Sequence, residues 1–169
     1  MTEDADIQPP VSRPPLSISG FLGAAGSAPG LAVIVCISGA VAMSLVSGEI
    51  ANPWGSALFG LIFLSLIATV WGVVPSVAFG GLVLAIMRRM PWRRRPAAVE
   101  YTVAGVVAAG LYVLAGLGIG GLSPAAAMLF APWATTDLWG SNGSWWIAAS
   151  ILLAGAAAGL LYAVCVKRG

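Results

Sequence analysis

The sequence predicts an all-α integral membrane protein with four transmembrane helices in a bundle, and three observations carry that prediction. Only 8% of its 169 residues are charged and 59% are hydrophobic, whereas soluble domains carry about 25% charged residues; so few charges cannot solvate a globule of this size. Residues 56–87 contain no charge at all, and as a helix they would run about 48 Å, more than the ~30 Å hydrocarbon core requires. That run then stops against Arg88, Arg89, Arg93, Arg94 and Arg95, and an apolar helix ending in a block of arginines orients itself in a membrane.

The chain opens on an acidic, proline-rich stretch holding Glu3, Asp4, Asp6, Pro9, Pro10, Pro14 and Pro15. It lacks the basic start and short apolar core of a signal peptide and reads as disordered. Residues 18–30 are mildly apolar but punctuated by Gly20, Gly23, Gly26, Pro29 and Gly30. They either lie along the membrane surface or extend the first span. On this reading residues 1–29 form a disordered or interfacial tail and residues 30–169 a four-span domain.

The first span is expected at about residues 31–47, followed by a turn at Glu49, Asn52 and Pro53. The second covers 56–87, long and with Pro75 near its middle. Proline removes a helical hydrogen bond and its ring clashes with the preceding turn, so a kink is expected there. The third span, about 97–119, follows Pro96, which suits a first helical turn. Glu100 near its start suits the positive end of the helix dipole. In the connection 121–144, Ser123 and Pro124 predict a short helix over residues 124–131, closed by Pro132. Ser141, Asn142, Gly143 and Ser144 make a turn before the last span at 145–166, which ends in Lys167 and Arg168.

All eight basic residues fall in the N-terminal tail (Arg13), the arginine loop or the C-terminus. With four spans these three regions share one side, and the positive-inside rule makes that side the cytoplasm. Seven of the eight are arginine, which fits a GC-rich bacterial genome, and the expected location is a bacterial inner membrane. Trp54, Trp133, Trp139, Trp145 and Trp146 would form an outer aromatic belt, and Trp92, Tyr101 and Tyr162 an inner one.

The leading candidate site is a stripe on the second span. Ser65, Thr69, Gly72, Ser76 and Gly80 are spaced by four, three, four and four residues and therefore share one helix face, next to Pro75. Such a stripe serves either as a close-packing face, where small residues admit a neighbouring backbone, or as a polar lining for a path hinged at Pro75. The packing reading is the stronger. Ala40, Ser44 and Gly48, Gly116 and Gly120, and Gly155 and Gly159 supply further four-residue small spacings. Arg88, Arg89, Arg93, Arg94 and Arg95 set topology and can contact anionic lipid.

The chain has no histidine, so it lacks the usual general base at neutral pH and the commonest metal ligand. Cys36 and Cys165 sit in separate apolar runs and make no metal or redox motif; both are expected toward the cytoplasmic leaflet. No charge lies inside a span, where ion pumps and proton-coupled carriers place theirs. Asp137 stands without a second catalytic group. No cofactor, no catalytic set and no nucleic-acid partner is expected. The expected role is that of a non-enzymatic accessory or structural subunit, whose partners are membrane lipid, other membrane subunits or a second copy of itself. The alternative is a small oligomeric transporter or channel using the Ser65/Thr69/Ser76 face.

Overall fold

The computed structural model describes residues 16–47, 53–90, 96–123, 125–126, 130–131 and 145–168. Among these there is no strand, and four helices are long and apolar enough to cross a membrane. They are α1 (Ile18–Ser47), α2 (Pro53–Arg89), α3 (Ala98–Leu122) and α4 (Trp145–Arg168). At 1.5 Å per residue they measure about 45, 56, 38 and 36 Å. Each is apolar all round, as expected when the outer face meets lipid rather than water.

The first helix begins at Ile18, so the glycine-rich segment 18–30 is a helical extension of the first span. Its start has a local cause. The Ser17 hydroxyl accepts the backbone N–H of Gly20 at 3.1 Å, and the Ser17 carbonyl accepts that of Phe21. That is the geometry of a serine N-cap. Once capped, the helix passes through Pro29, and the most apolar stretch covers Ile18–Ala42.

Helix α3 starts one residue after Ala97, whose extended backbone (φ −80°, ψ 166°) marks the cap. Ala97 has no side-chain acceptor, but Glu100 reaches back to accept its backbone N–H. Half of a capping box is therefore in place, and the carboxylate lies at the positive end of the helix dipole. Ser123 ends α3 and its hydroxyl accepts the backbone N–H of Ala126 at 3.3 Å. Of the short helix expected at 124–131, residues 125–126 and 130 are helical and Ala131 is not; residues 124 and 127–129 lie outside the described residues. So do residues 1–15, Glu49, Arg93, Arg94, Arg95 and the turn at 141–144.

Each helix packs chiefly against two others, in the ring order α1–α2–α3–α4 and back to α1. The pairings are antiparallel. Along α1 and α2, Pro29 meets Gly72 and Phe21 meets Gly80. Along α3 and α4, Tyr101 meets Gly159 and Gly105 meets Gly155. Along α1 and α4, Gly20 meets Cys165 and Gly39 meets Trp146. An up-down-up-down bundle results. It gathers the start of α1, Arg88, Arg89, Glu100 and Lys167 at one end and leaves Trp145 and Trp146 at the other.

Candidate functional site

Because the helices touch around a ring more than across it, the centre of the bundle is a cavity of about 660 Å³. All four helices line it. Its basic end is closed by a core cluster of Ala24, Met87, Tyr101, Tyr162 and Ala163. Tyr162 is the hub: its ring stands edge-on to Phe21 at 6.4 Å and to Tyr101 at 5.3 Å, separations typical of favourable aromatic pairs. The other end is lined by Cys36, Ile37, Ile67, Trp71 and Ile147.

The walls differ in construction. Glycine brings α3 and α4 together until backbones touch. A Cβ on Gly105 would overlap the Gly155 carbonyl, one on Gly159 would overlap the Tyr101 carbonyl, and one on Gly155 would stand 2.5 Å from the Gly105 carbonyl. Gly155 and Gly159 thus serve an intramolecular crossing. The α2–α3 seam is the thinnest in the ring. It is bridged by rings instead: Phe79 lies 6.1 Å from Tyr112 and 6.4 Å from Phe130, and Tyr112 lies 5.8 Å from Phe130. The Tyr112 hydroxyl also donates to the Phe130 carbonyl at 3.4 Å.

The stripe on α2 divides between packing and cavity. Gly72 takes the ring of Pro29, where a Cβ would come within 2.6 Å, and Gly80 takes the edge of Phe21, where a Cβ would come within 3.3 Å. Thr69 faces Gly30 and its hydroxyl donates to the Ser65 carbonyl of its own helix at 2.7 Å. Gly72, Pro75, Ser76 and Gly80 line the cavity; Ser65 and Thr69 do not. Of the three hydroxyls read as a polar face, one therefore reaches the central space. The Ser65 oxygen is buried without a hydrogen bond among the described residues. On the same helix Leu66, Val70 and Val74 are exposed, pointing away from the bundle.

Three residues carry more than their sequence context suggests. Pro29 sits inside α1, lines the cavity and packs against Gly72, one turn from Pro75. Two positions where a helix forgoes a hydrogen bond are thus neighbours across the α1–α2 interface. Gly105 is the α3 partner of Gly155; its signal was its place four residues after Tyr101 and four before Ala109. Ser150 is 1% exposed, lines the cavity and donates to the Trp146 carbonyl at 2.7 Å.

The cysteines lie at opposite ends of the bundle, not in one leaflet. Cys165 packs against Gly20, while the Cys36 carbonyl accepts the Trp146 indole N–H at 3.3 Å. The reason is the early start of α1: a helix beginning at Ile18 carries residue 36 about 27 Å along its axis. Both are free thiols. Tyr101 and Tyr162 lie at the arginine end but, at 5% exposure each, they are stacked inside the bundle and do not form an interfacial belt. Arg88 and Arg89 are exposed at that end, and Gly116 is buried in α3. Ala40 is exposed, whereas Gly48 lies outside the described residues.

Comparison with family models, with curated proteins and with solved structures finds no match for this chain. What fold and site define is a class: an all-helical protein with four candidate membrane-spanning helices, closed around an apolar central space.

Proposed function

We propose that this is a non-enzymatic protein of the bacterial inner membrane that acts as an accessory or structural subunit, associating with a larger membrane complex or with itself. The arginine loop and both termini face the cytoplasm, and α2 bends at Pro75. The observation that carries this reading is the fate of the α2 stripe. Gly72 and Gly80 pack against Pro29 and Phe21, and Thr69 bonds within its own helix. A lining of this kind supports close assembly better than the passage of a polar solute, which needs polar partners along its route. The internal glycines are occupied within the chain, so association falls to the outer faces, where Leu66, Val70 and Val74 are exposed.

One observation favours the alternative, a small oligomeric transporter or channel: Ser76 and Pro75 line a space shared by all four helices. The test is purification from native membrane in mild detergent, with the mass of the particle measured and its components identified. A particle larger than one chain, with stoichiometric companions or copies, is expected. A lone monomer that mediates solute flux in vesicles would overturn the subunit reading. Orientation is tested in a background lacking Cys36 and Cys165. Arg94→Cys is expected to be shielded from an impermeant thiol reagent in intact cells and Asn142→Cys to be labelled; the reverse pattern inverts the topology.

A further inference from the structure

The central cavity poses a physical question: which substance fills about 660 Å³ of apolar volume inside a membrane? An unfilled apolar space of this size forfeits dispersion contacts along its whole wall. Water is a poor occupant, since it needs two to four polar partners. The wall offers few, and several of those are committed: Ser150 to the Trp146 carbonyl and Tyr112 to the Phe130 carbonyl. The rest of the lining is largely alanine, glycine, branched aliphatics and aromatic rings.

Shape narrows the occupant. On α1 the lining runs from Phe21 to Ile37, a rise of about 24 Å at 1.5 Å per residue. The space is thus long, and it spans most of the ~30 Å hydrocarbon core. Small side chains keep it open: Ala28 and Ala32 from α1, Ala104 and Ala108 from α3, Ala154 and Ala158 from α4. The α2–α3 seam is the thinnest in the ring, and there the side chains of Phe79 and Tyr112 rather than close-packed backbones hold the helices together.

We propose that this cavity is a lipid site that takes one acyl chain of a membrane phospholipid, entering between α2 and α3. The surrounding bilayer supplies the occupant. The Tyr162 hydroxyl marks the basic end, where it is buried. The Ser17 backbone and the Arg88 charge lie near it. A phospholipid whose chain enters between α2 and α3 keeps its headgroup outside the bundle, toward the exposed Arg88 and Arg89 at the end of α2, because anionic headgroups are drawn to juxtamembrane arginine.

The experiment is native mass spectrometry of the full-length chain, purified in mild detergent and washed free of loosely held lipid. One phospholipid is expected to remain on the wild type. Ala108→Leu and Ala32→Leu, from separate walls, each place added bulk in the path of the chain. They are expected to lower occupancy about tenfold, the factor that losing roughly two buried methylene contacts corresponds to. Val107→Leu, on an exposed surface of α3, is expected to retain wild-type occupancy. A wild type that retains no phospholipid overturns the proposal, as does equal retention by all three variants, which marks the lipid as annular. An isoprenoid or quinone found in its place overturns the identity of the occupant. Should both wall variants fail to fold, Ala108→Val and Ala32→Val, which add less bulk, are measured in the same way: lowered retention supports the proposal and wild-type retention overturns it. None of these readings depends on whether companions co-purify, so the lipid site and the subunit role stand or fall separately.

Discussion

The two seams of α3 are built on opposite plans. Toward α4 it presents Tyr101, Gly105 and Ala109, and the facing Gly155 and Gly159 bring the backbones into contact. Toward α2 it presents Tyr112, and Phe79 and Phe130 complete a cluster of rings. Glycine permits approach because nothing stands between the chains, and in lipid such approach is a main source of helix association. Aromatic rings provide contact at a distance, with centroids about 6 Å apart rather than backbones touching. A ring of four helices drawn tight on one side and propped on another leaves space in the middle. The cavity follows from that asymmetry.

The comparison can be broken most severely at the tight seam. Gly155→Leu drives a side chain into the Gly105 carbonyl and Ala109, and neither can yield without moving α3. We expect a loss of at least about 3 kcal/mol, at or beyond the upper end of overpacking costs, read as collapse of folded yield and of the thermal midpoint in detergent. Leu153→Ala, on the exposed side of α4, should leave both nearly unchanged. Equal behaviour of the pair would show that the crossing is looser than backbone contact implies.

The α1–α2 interface lies between the two plans, since Gly72 accepts a proline ring rather than a backbone. Gly72→Leu is expected to cost about 2 kcal/mol, while Val70→Leu, at 75% exposure, should stay within about 0.5 kcal/mol. Equal thermal midpoints for these variants would show that the stripe is not the packing face. At the propped seam Phe79→Ala removes two ring contacts; at about 0.5–1.5 kcal/mol each, less whatever the remaining rings recover, we expect a loss of about 1–2 kcal/mol. Proteolytic sensitivity of the α2–α3 hairpin should rise with it; a loss as large as that of Gly155→Leu would mean the two seams bear comparable load.

The smallest effect sharpens the picture at the α1–α4 contact. Trp146→Phe keeps an aromatic ring over Gly39 but removes the N–H that reaches the Cys36 carbonyl. A hydrogen bond between membrane helices averages about 0.6 kcal/mol, so the thermal midpoint should fall only slightly. Gly39→Leu, which displaces the ring itself, should fall much further.

What the sequence determined by itself is whatever depends on local chemistry and on the solvent. Four apolar runs, each bounded by glycine, proline, serine or arginine, had to become helices, because lipid leaves a backbone polar group no partner outside its own segment. The ends of α2, α3 and α4 were therefore legible to within a turn. The start of α1 was not: Gly20, Gly23, Gly26 and Pro29 argue against a helix on propensity, and the Ser17 cap, together with packing against Gly72, Gly80 and Cys165, overrides them. The early start of α1 carries Cys36 to the end opposite the one expected. Which glycines meet which backbones, why Ser76 reaches the central space while Ser65 and Thr69 do not, and the existence of the cavity itself were decided only by tertiary structure. The reason is geometric. A periodic stripe specifies a face of one helix, but a contact needs the register and distance of two, and a cavity is a property of all four.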